Sequence, residues 1–299
     1  MEMHPGQLAV TPATVRTLLS EQFPGWRDVR IAAVRGAGTV NAIFRLGDQL
    51  VARFPLQAGD VAVARRQLEH EASVAEELFG HTPFATPRPV AIGEPGAGYP
   101  MPWSIYTWLP GNPATGDNLS SSPEFATDLA TFITAVRAMD TRGRTFAGTG
   151  RGGALSGHDD WMQESLCHSR GLLDVKTYRQ IWAEMRTLPR GDSPDVMTHG
   201  DLIAPNVLVG AGRLVGVLDV GGLGAADPAL DLVAAWHLLD SGPRRRLRDH
   251  LGCDDAEWLR GRAWAFQQAM GAVWYYADSN PSFSESCRLT LQRVAADRG

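Results

Sequence analysis

The stretch from His199 to Asp231, HGDLIAPNVLVGAGRLVGVLDVGGLGAADPALD, constrains the fold of this chain more than any other. Val207, Leu208 and Val209 read as one strand, Gly210-Ala211-Gly212-Arg213 as a turn, and Leu214 to Leu218 as the returning strand of a β-hairpin. Antiparallel pairing sets Asn206, before the first strand, at the same end as Asp219, after the second. An amide oxygen and a carboxylate thus meet at one hairpin mouth, with Asp201 five residues upstream of Asn206. Any one of these residues alone is an ordinary polar loop cap. The D-x-x-x-x-N spacing, followed by a hairpin and a further Asp, is far more specific. Two oxygen ligands and a nearby free carboxylate suit a Mg²⁺–nucleotide site with a base.

The segments HGDLIAPN and VGVLDVGGLGAADPALDL resemble the phosphotransferase motif of the aminoglycoside phosphotransferase superfamily. That group includes antibiotic kinases and choline-kinase-like and homoserine-kinase-like enzymes, and its fold is related to that of protein kinases. The same spacing matches the kinase catalytic loop and metal-binding Asp. The resemblance implies Asp201 as catalytic base, Asn206 and Asp219 as Mg²⁺ ligands, and ATP or GTP as co-substrate. His199 reads as a brace for the loop. The implied fold is α+β and protein-kinase-like: an antiparallel-sheet N-terminal lobe over residues 1–106, a hinge at 107–113, and a helical C-terminal lobe at 114–299 that carries the catalytic loop and acceptor pocket.

Composition narrows the class. At 299 residues, 44% hydrophobic and 20% charged, the chain has the make-up of a soluble globular protein with ample core. A net charge of −5 provides no electrostatic footprint for nucleic acid or anionic membrane. No apolar run approaches the roughly 20 residues of a membrane span, and MEMHPGQLAVTP has no secretory pattern. Cys167, Cys253 and Cys287 are far apart and form no CxxC unit, so a reduced, cytoplasmic setting is expected.

Along the chain, Thr11-Pro12 starts a helix. Strands are expected at Val29–Arg35, Val40–Leu46 and Leu50–Phe54, with Gly36-Ala37-Gly38-Thr39 as the first turn. Glycines there let the backbone approach a phosphate, although hairpin turns use glycine anyway. The resemblance assigns Gly36, Gly38 and Thr39 to a nucleotide-positioning loop. Kinases use a strand lysine on the phosphates, paired with a helix glutamate. This N-terminal block contains no lysine, and Arg53 in LVARFP takes that place. Arginine also binds phosphate, by a planar fork. A helix over about 62–79 carries Glu71, by resemblance the partner of Arg53, with Glu69, Glu76 and Glu77 as rivals. Residues 87–89 and 93–102 read as loop. Trp103–Trp108 then reads as a buried strand leading to Leu109-Pro110-Gly111, where the related kinases bind adenine through backbone groups. The matching groups are the Thr107 carbonyl and the Leu109 N–H.

Beyond residue 114 the pattern is helical: a helix from Ser122 to about Met139, a Gly-rich irregular stretch at 141–156, helices near Trp161 and over 175–186, then the Asp227-Pro228 helix start. Asp227 and Asp231 read as structural. Two further helices, near 256–276 and 284–296, end the chain. Only seven residues separate Asp219 from Asp227, too few for a peptide-cradling activation segment, so a small-molecule acceptor is expected. A polycationic aminoglycoside would want carboxylates, for which Asp159, Asp160, Glu164, Asp278 and Glu285 are candidates. A macrolide would want an apolar wall such as Trp161, Trp236, Trp274, Tyr275 and Tyr276, and choline an aromatic cage. Plain helix packing competes for each aromatic. A cellular metabolite (choline, homoserine or a sugar) and a non-catalytic nucleotide-binding role are the alternatives to an antibiotic acceptor.

Overall fold

The structure, a computed structural model, describes residues 6–34, 40–114, 119–190 and 193–297. Two compact units emerge. The first comprises Met1–Gly80, Ala85–Pro110 and Val217–Gly221; the second comprises His81–Phe84, Gly111–Gly216 and Gly222–Gly299. The short segment around Asp219 therefore packs with the first unit, although the sequence reading assigned it to the C-terminal lobe.

In the first unit, α1 (Pro12–Gln22) is capped by the Thr11 hydroxyl, which accepts the Thr14 N–H at 3.1 Å. Strands β1 (Ile31–Ala33), β2 (Asn41–Leu46) and β3 (Leu50–Pro55) form a meander. Helix α2 (Val61–Leu78), capped by Asp60, follows. Strands β4 (Pro89–Gly93) and β5 (Trp103–Thr107) complete an antiparallel sheet in the order β1-β2-β3-β5-β4. Period-2 alternation decides what β3 presents to each face. Ala52 and Phe54 are fully buried, and Phe54 stacks on Trp103 with centroids 4.7 Å apart. Arg53, between them, points to the other face. Gly93 must lack a side chain, because a Cβ there would lie 2.2 Å from Trp103 Cε2. Strand β4 was not foreseen. Its first residue, Pro89, read with Pro87 as loop punctuation, but β4 is an edge strand, where proline is tolerated.

The second unit opens with β6 (Asn112–Pro113) and α3 (Pro123–Arg137), whose start is capped by Ser122. Helices α4 (Asp159–His168) and α5 (Val175–Met185) follow the irregular stretch. Then come β7 (Val196–Thr198), the hairpin of β8 (Val207–Gly210) and β9 (Arg213–Val217), and β10 (Gly224–Ala226). Strand β6 joins the hairpin in a three-stranded sheet, and β10 pairs antiparallel with β7. After a tight 3-10 turn at Pro228–Leu232 come α6 (Val233–Leu238), α7 (Ser241–Leu251), α8 (Asp255–Tyr275) and α9 (Pro281–Ala296). Helix α8 is buried along most of its length. Gly261 lets it approach the 3-10 turn, since a Cβ there would lie 2.4 Å from that of Leu232. The sheet-rich first unit and helical second unit give the α+β, kinase-like fold expected from the sequence. No helix among the described residues is long and apolar enough to cross a membrane.

Candidate active site

The loop between β7 and β8 carries Asp201 and Asn206 in the second unit. Its conformation is held from below by Asp231. That carboxylate is fully buried and accepts the His199 N–H on Oδ2 and the Gly200 N–H on Oδ1, both at 2.8 Å. Burial pushes the Asp231 carboxyl's pKa up, while His199 and the two N–H donors pull against it. His199, also fully buried, accepts the Asp201 N–H on Nδ1 at 3.2 Å, so its ring braces the loop. Gly200 has φ +81°, the left-handed region glycine enters at little cost. Asp231→Ala is expected to strand the buried His199 N–H, at about 1–3 kcal/mol, and the half-buried Gly200 N–H at less. Urea unfolding checks this; a loss under about 1 kcal/mol would show that the anchor is dispensable.

On this base the Asn206 side-chain amide donates to the Asp201 backbone carbonyl at 2.9 Å and to its Oδ2 at 2.7 Å. The amide nitrogen faces Asp201, which leaves the Asn206 carbonyl oxygen as a hard donor atom. Asp201 Oδ1 accepts from Arg151 at 2.8 Å and from the side-chain amide of Gln268. The sequence reading identified neither Arg151 nor Gln268. Arg151 lies in the Gly-rich irregular stretch and Gln268 on a helix 67 residues away, so no local spacing links them to Asp201.

Asp219 lies in the first unit with φ +57°, a left-handed conformation unusual outside glycine and best tolerated by Asn and Asp. Its Oδ1 accepts from Arg53 at 2.9 Å. Burial alone would lower the Arg53 pKa, but the Asp219 and Glu71 carboxylates together raise it. Glu71 was expected to be the direct partner of Arg53. Instead the hydrogen-bonded ion pair is with Asp219, and Glu71 accepts from Gln67 one turn earlier on α2 at 3.2 Å. Glu71 still acts on Arg53 through its charge, and its side chain fills the space that Gly221 leaves open, where a Cβ would lie 2.7 Å from Glu71 Cγ. Of the rivals, Glu69 pairs with Arg65 and Glu76 with Arg88.

The other expected residues fall in several places. Gly36, Gly38 and Thr39 lie outside the described residues. Thr107 ends β5, where its N–H donates to the Arg88 carbonyl and its hydroxyl accepts the Arg88 N–H, while Leu109 is half-buried just beyond it. Trp236 belongs to the core rather than to a pocket wall: it is fully buried against Trp258 at 4.7 Å, and its indole N–H donates to Asp297. An apolar position on a helix wedged between α8 and α9 favours core packing over a binding role. Asp159 is engaged by Arg186 and the Trp182 indole, and the Arg186 bond holds its pKa low. Glu285 pairs with Arg288. Asp160, Glu164 and Asp278 are exposed. Trp274 stacks on His168 at 4.4 Å and meets Trp161 at 6.2 Å and Tyr275 at 5.6 Å, forming a partly exposed aromatic cluster on α4 and α8.

Among the described residues no group of three His, Cys, Asp or Glu gathers to hold a metal. Mg²⁺ does not require one, because it is commonly held by one or two carboxylates together with phosphate oxygens and water. An amide carbonyl such as that of Asn206 and a carboxylate such as that of Asp219 are each oxygen donors of the kind that ion takes.

Comparisons with known proteins converge. The family described as "Phosphotransferase enzyme family" matches residues 32–264. An aminoglycoside 3'-phosphotransferase of Escherichia coli is 32% identical over 101 residues, 30% of this chain and 37% of that protein. One of Salmonella typhimurium is 36% identical over the same shares. The matched region thus spans little more than a third of these relatives. Among solved structures, the GDP complex of wild-type aminoglycoside 2'-phosphotransferase-IIIa superposes with a TM-score of 0.71 at 19% identity, over 96% of this chain and all of that one. The apoenzyme of a macrolide 2'-phosphotransferase from Brachybacterium faecium gives 0.60 at 17% identity, over 93% of this chain and 97% of that one.

Proposed function

The chain belongs to the phosphotransferase enzyme family, and from that premise we propose that it transfers the γ-phosphoryl group of ATP or GTP to a hydroxyl of a small molecule, with an antibiotic of the aminoglycoside or macrolide type as acceptor. The observation that carries this reading is the Asn206–Asp201 hydrogen bond at 2.7 Å, which fixes a carboxylate and an amide oxygen together on one loop. Asp201 orients the acceptor hydroxyl and takes its proton as the oxygen bonds to the γ-phosphorus. The bond to the bridging oxygen breaks, and its electron pair leaves with the nucleoside diphosphate. Asn206 and Asp219 would hold Mg²⁺, which neutralises phosphate charge when bound. Arg53 steadies the phosphates, and the left-handed Asp219 is kept in place by its bond to Arg53. Solved complexes of aminoglycoside phosphotransferases with kanamycin, gentamicin or streptomycin are structurally similar to this chain, which supports a small-molecule acceptor. So does β10, which ties the residues after Asp219 directly to β7 and leaves no long segment to cradle a peptide.

The test is a coupled phosphotransfer assay with Mg-ATP and Mg-GTP against aminoglycosides, macrolides, choline and homoserine, with Asp201→Ala as control. Turnover on one antibiotic class, lost in the control, supports the reading; nucleotide binding without turnover on any acceptor contradicts it. Arg53→Ala is expected to weaken Mg-ATP binding by about tenfold or more, since a charge-assisted phosphate contact is lost. Titration calorimetry measures it, and unchanged affinity would remove Arg53 from the nucleotide site.

A further inference from the structure

We infer that Arg151 and Gln268 are positioning residues that select which oxygen of Asp201 acts as the base. The inference rests on the phosphotransfer reading above. A carboxylate oxygen offers two lone-pair directions for hydrogen bonding. Oδ1 of Asp201 has both occupied, by an Arg151 Nη2–H at 2.8 Å and by the Gln268 amide. Among the described residues Oδ2 accepts one bond, from Asn206. The lone pair that remains is therefore on Oδ2, and it is this oxygen that takes the proton of the acceptor hydroxyl.

Both clamping groups are themselves held. The same Nη2 of Arg151 also donates to the Gly200 carbonyl at 3.1 Å, so one guanidinium nitrogen grips the main chain and side chain of consecutive residues. The loop that carries Arg151 has no regular structure to stiffen it, yet it is pinned on its far side. The Gly152 carbonyl accepts the Asp227 N–H at 3.2 Å, and the Gly153 carbonyl accepts from Arg260 at 3.0 Å. Gly152 has φ +109° and lies so close to Ala226 that a Cβ would come within 2.6 Å of that residue's own. The Gly-rich composition of this stretch is thereby accounted for: it brings Arg151 onto the catalytic loop at a distance no side chain at position 152 would permit. Gln268 projects from α8 and lies against His237 of α6. That ring is braced by the Thr290 hydroxyl at 3.2 Å, and burial keeps it neutral, with its pKa pushed down to about 3. A half-buried, neutral ring is a fixed strut beside Gln268.

Arg151 acts through Asp201, which makes the inference separable from a direct role on the phosphoryl group or the acceptor. Turnover and KM are measured for wild type, Arg151→Ala, Arg151→Lys, Gln268→Ala, Asp201→Ala and the double variant Arg151→Ala/Asp201→Ala. The expected result is a kcat loss of about 10- to 100-fold in Arg151→Ala and about tenfold in Gln268→Ala, with nucleotide affinity within about twofold of wild type. Arg151→Lys, which retains a donor, and added guanidinium with Arg151→Ala each recover much of the loss. In the Asp201→Ala background, Arg151→Ala has no further effect, because the group it positions is gone. A further loss in that background, or a loss confined to acceptor KM, would overturn the inference. So would an Arg151→Ala enzyme, or should that variant not fold, a Gln268→Ala enzyme, with wild-type kcat. Wild-type protein without turnover on any acceptor overturns the phosphotransfer reading and this inference with it, whereas wild-type turnover insensitive to Arg151 and Gln268 overturns this inference alone.

Discussion

Asp201→Ala is expected to cut turnover by about 10²–10⁴-fold while leaving nucleotide affinity nearly intact. The substitution removes the carboxylate proposed to accept the hydroxyl proton, but it leaves Arg53 and Asp219, which sit in the other unit, untouched. The remaining rate reflects positioning and charge neutralisation, which dominate phosphoryl transfer. Single-turnover kinetics with excess enzyme, alongside calorimetric titration of Mg-ATP, separate the two quantities. An Asp201→Ala protein as active as wild type would remove this residue from the role of base. A protein that no longer binds nucleotide would mean the loop as a whole had collapsed, a result Asp201→Asn helps to distinguish by keeping the shape of the side chain.

The largest expected effect on stability lies at a pair that touches neither nucleotide nor base. Asp227 and Arg260 retain only 3% and 2% of their side-chain exposure and form an ion pair with one bond at 2.6 Å. Asp227 has two duties. Its Oδ1 caps the 3-10 turn by accepting the Ala229 N–H at 3.0 Å, and its Oδ2 receives Arg260. Arg260 spends its other donors on the carbonyls of Leu188 and Gly153. Asp227→Ala leaves a buried guanidinium without its counter-charge, and is expected to cost about 3–5 kcal/mol and to lower the melting temperature on the order of 10 °C. Asp227→Ala/Arg260→Met is expected to recover a good part of that loss, because the desolvation cost of both charges disappears with them. Urea unfolding of the two single variants and the double variant closes the cycle. A single-variant loss below about 1 kcal/mol would show that water or another carboxylate reaches Arg260. Because Arg260 also pins the loop of Arg151, the same variants should lower turnover at temperatures where they remain folded.

Much of this was legible in the sequence because it depends on short-range geometry. A hairpin forms from strand-forming residues around a Gly-rich turn, and the D-x-x-x-x-N spacing places Asp201 and Asn206 on one loop whatever surrounds it. Period-2 alternation directs Arg53 away from the core face that holds Ala52 and Phe54. Asp60 and Ser122 cap helices through bonds to residues three positions on. Asp227 read as a cap, and it is one. The three-residue strands β7 and β10 were not legible, because neither has a pattern long enough to show a period; they exist through pairing with each other.

Tertiary structure alone decided which groups meet across long stretches of chain. Nothing in the local pattern distinguished Glu71 from Asp219 as the direct partner of Arg53, since the choice depends on where a left-handed residue 166 positions away comes to rest. Trp236 has the composition of a pocket wall but is core, because burial is set by what packs around it. Asp231 looked like one more helix-start carboxylate, yet it holds the loop of Asp201 through two backbone N–H groups. Arg151 and Gln268 reach Asp201 from a structureless Gly-rich segment and from a helix near the end of the chain. Hydrogen bonds join atoms within about 3 Å regardless of sequence separation. Local spacing therefore picked out the candidate reacting residues of this protein, and only the folded chain determined the residues that hold them in place.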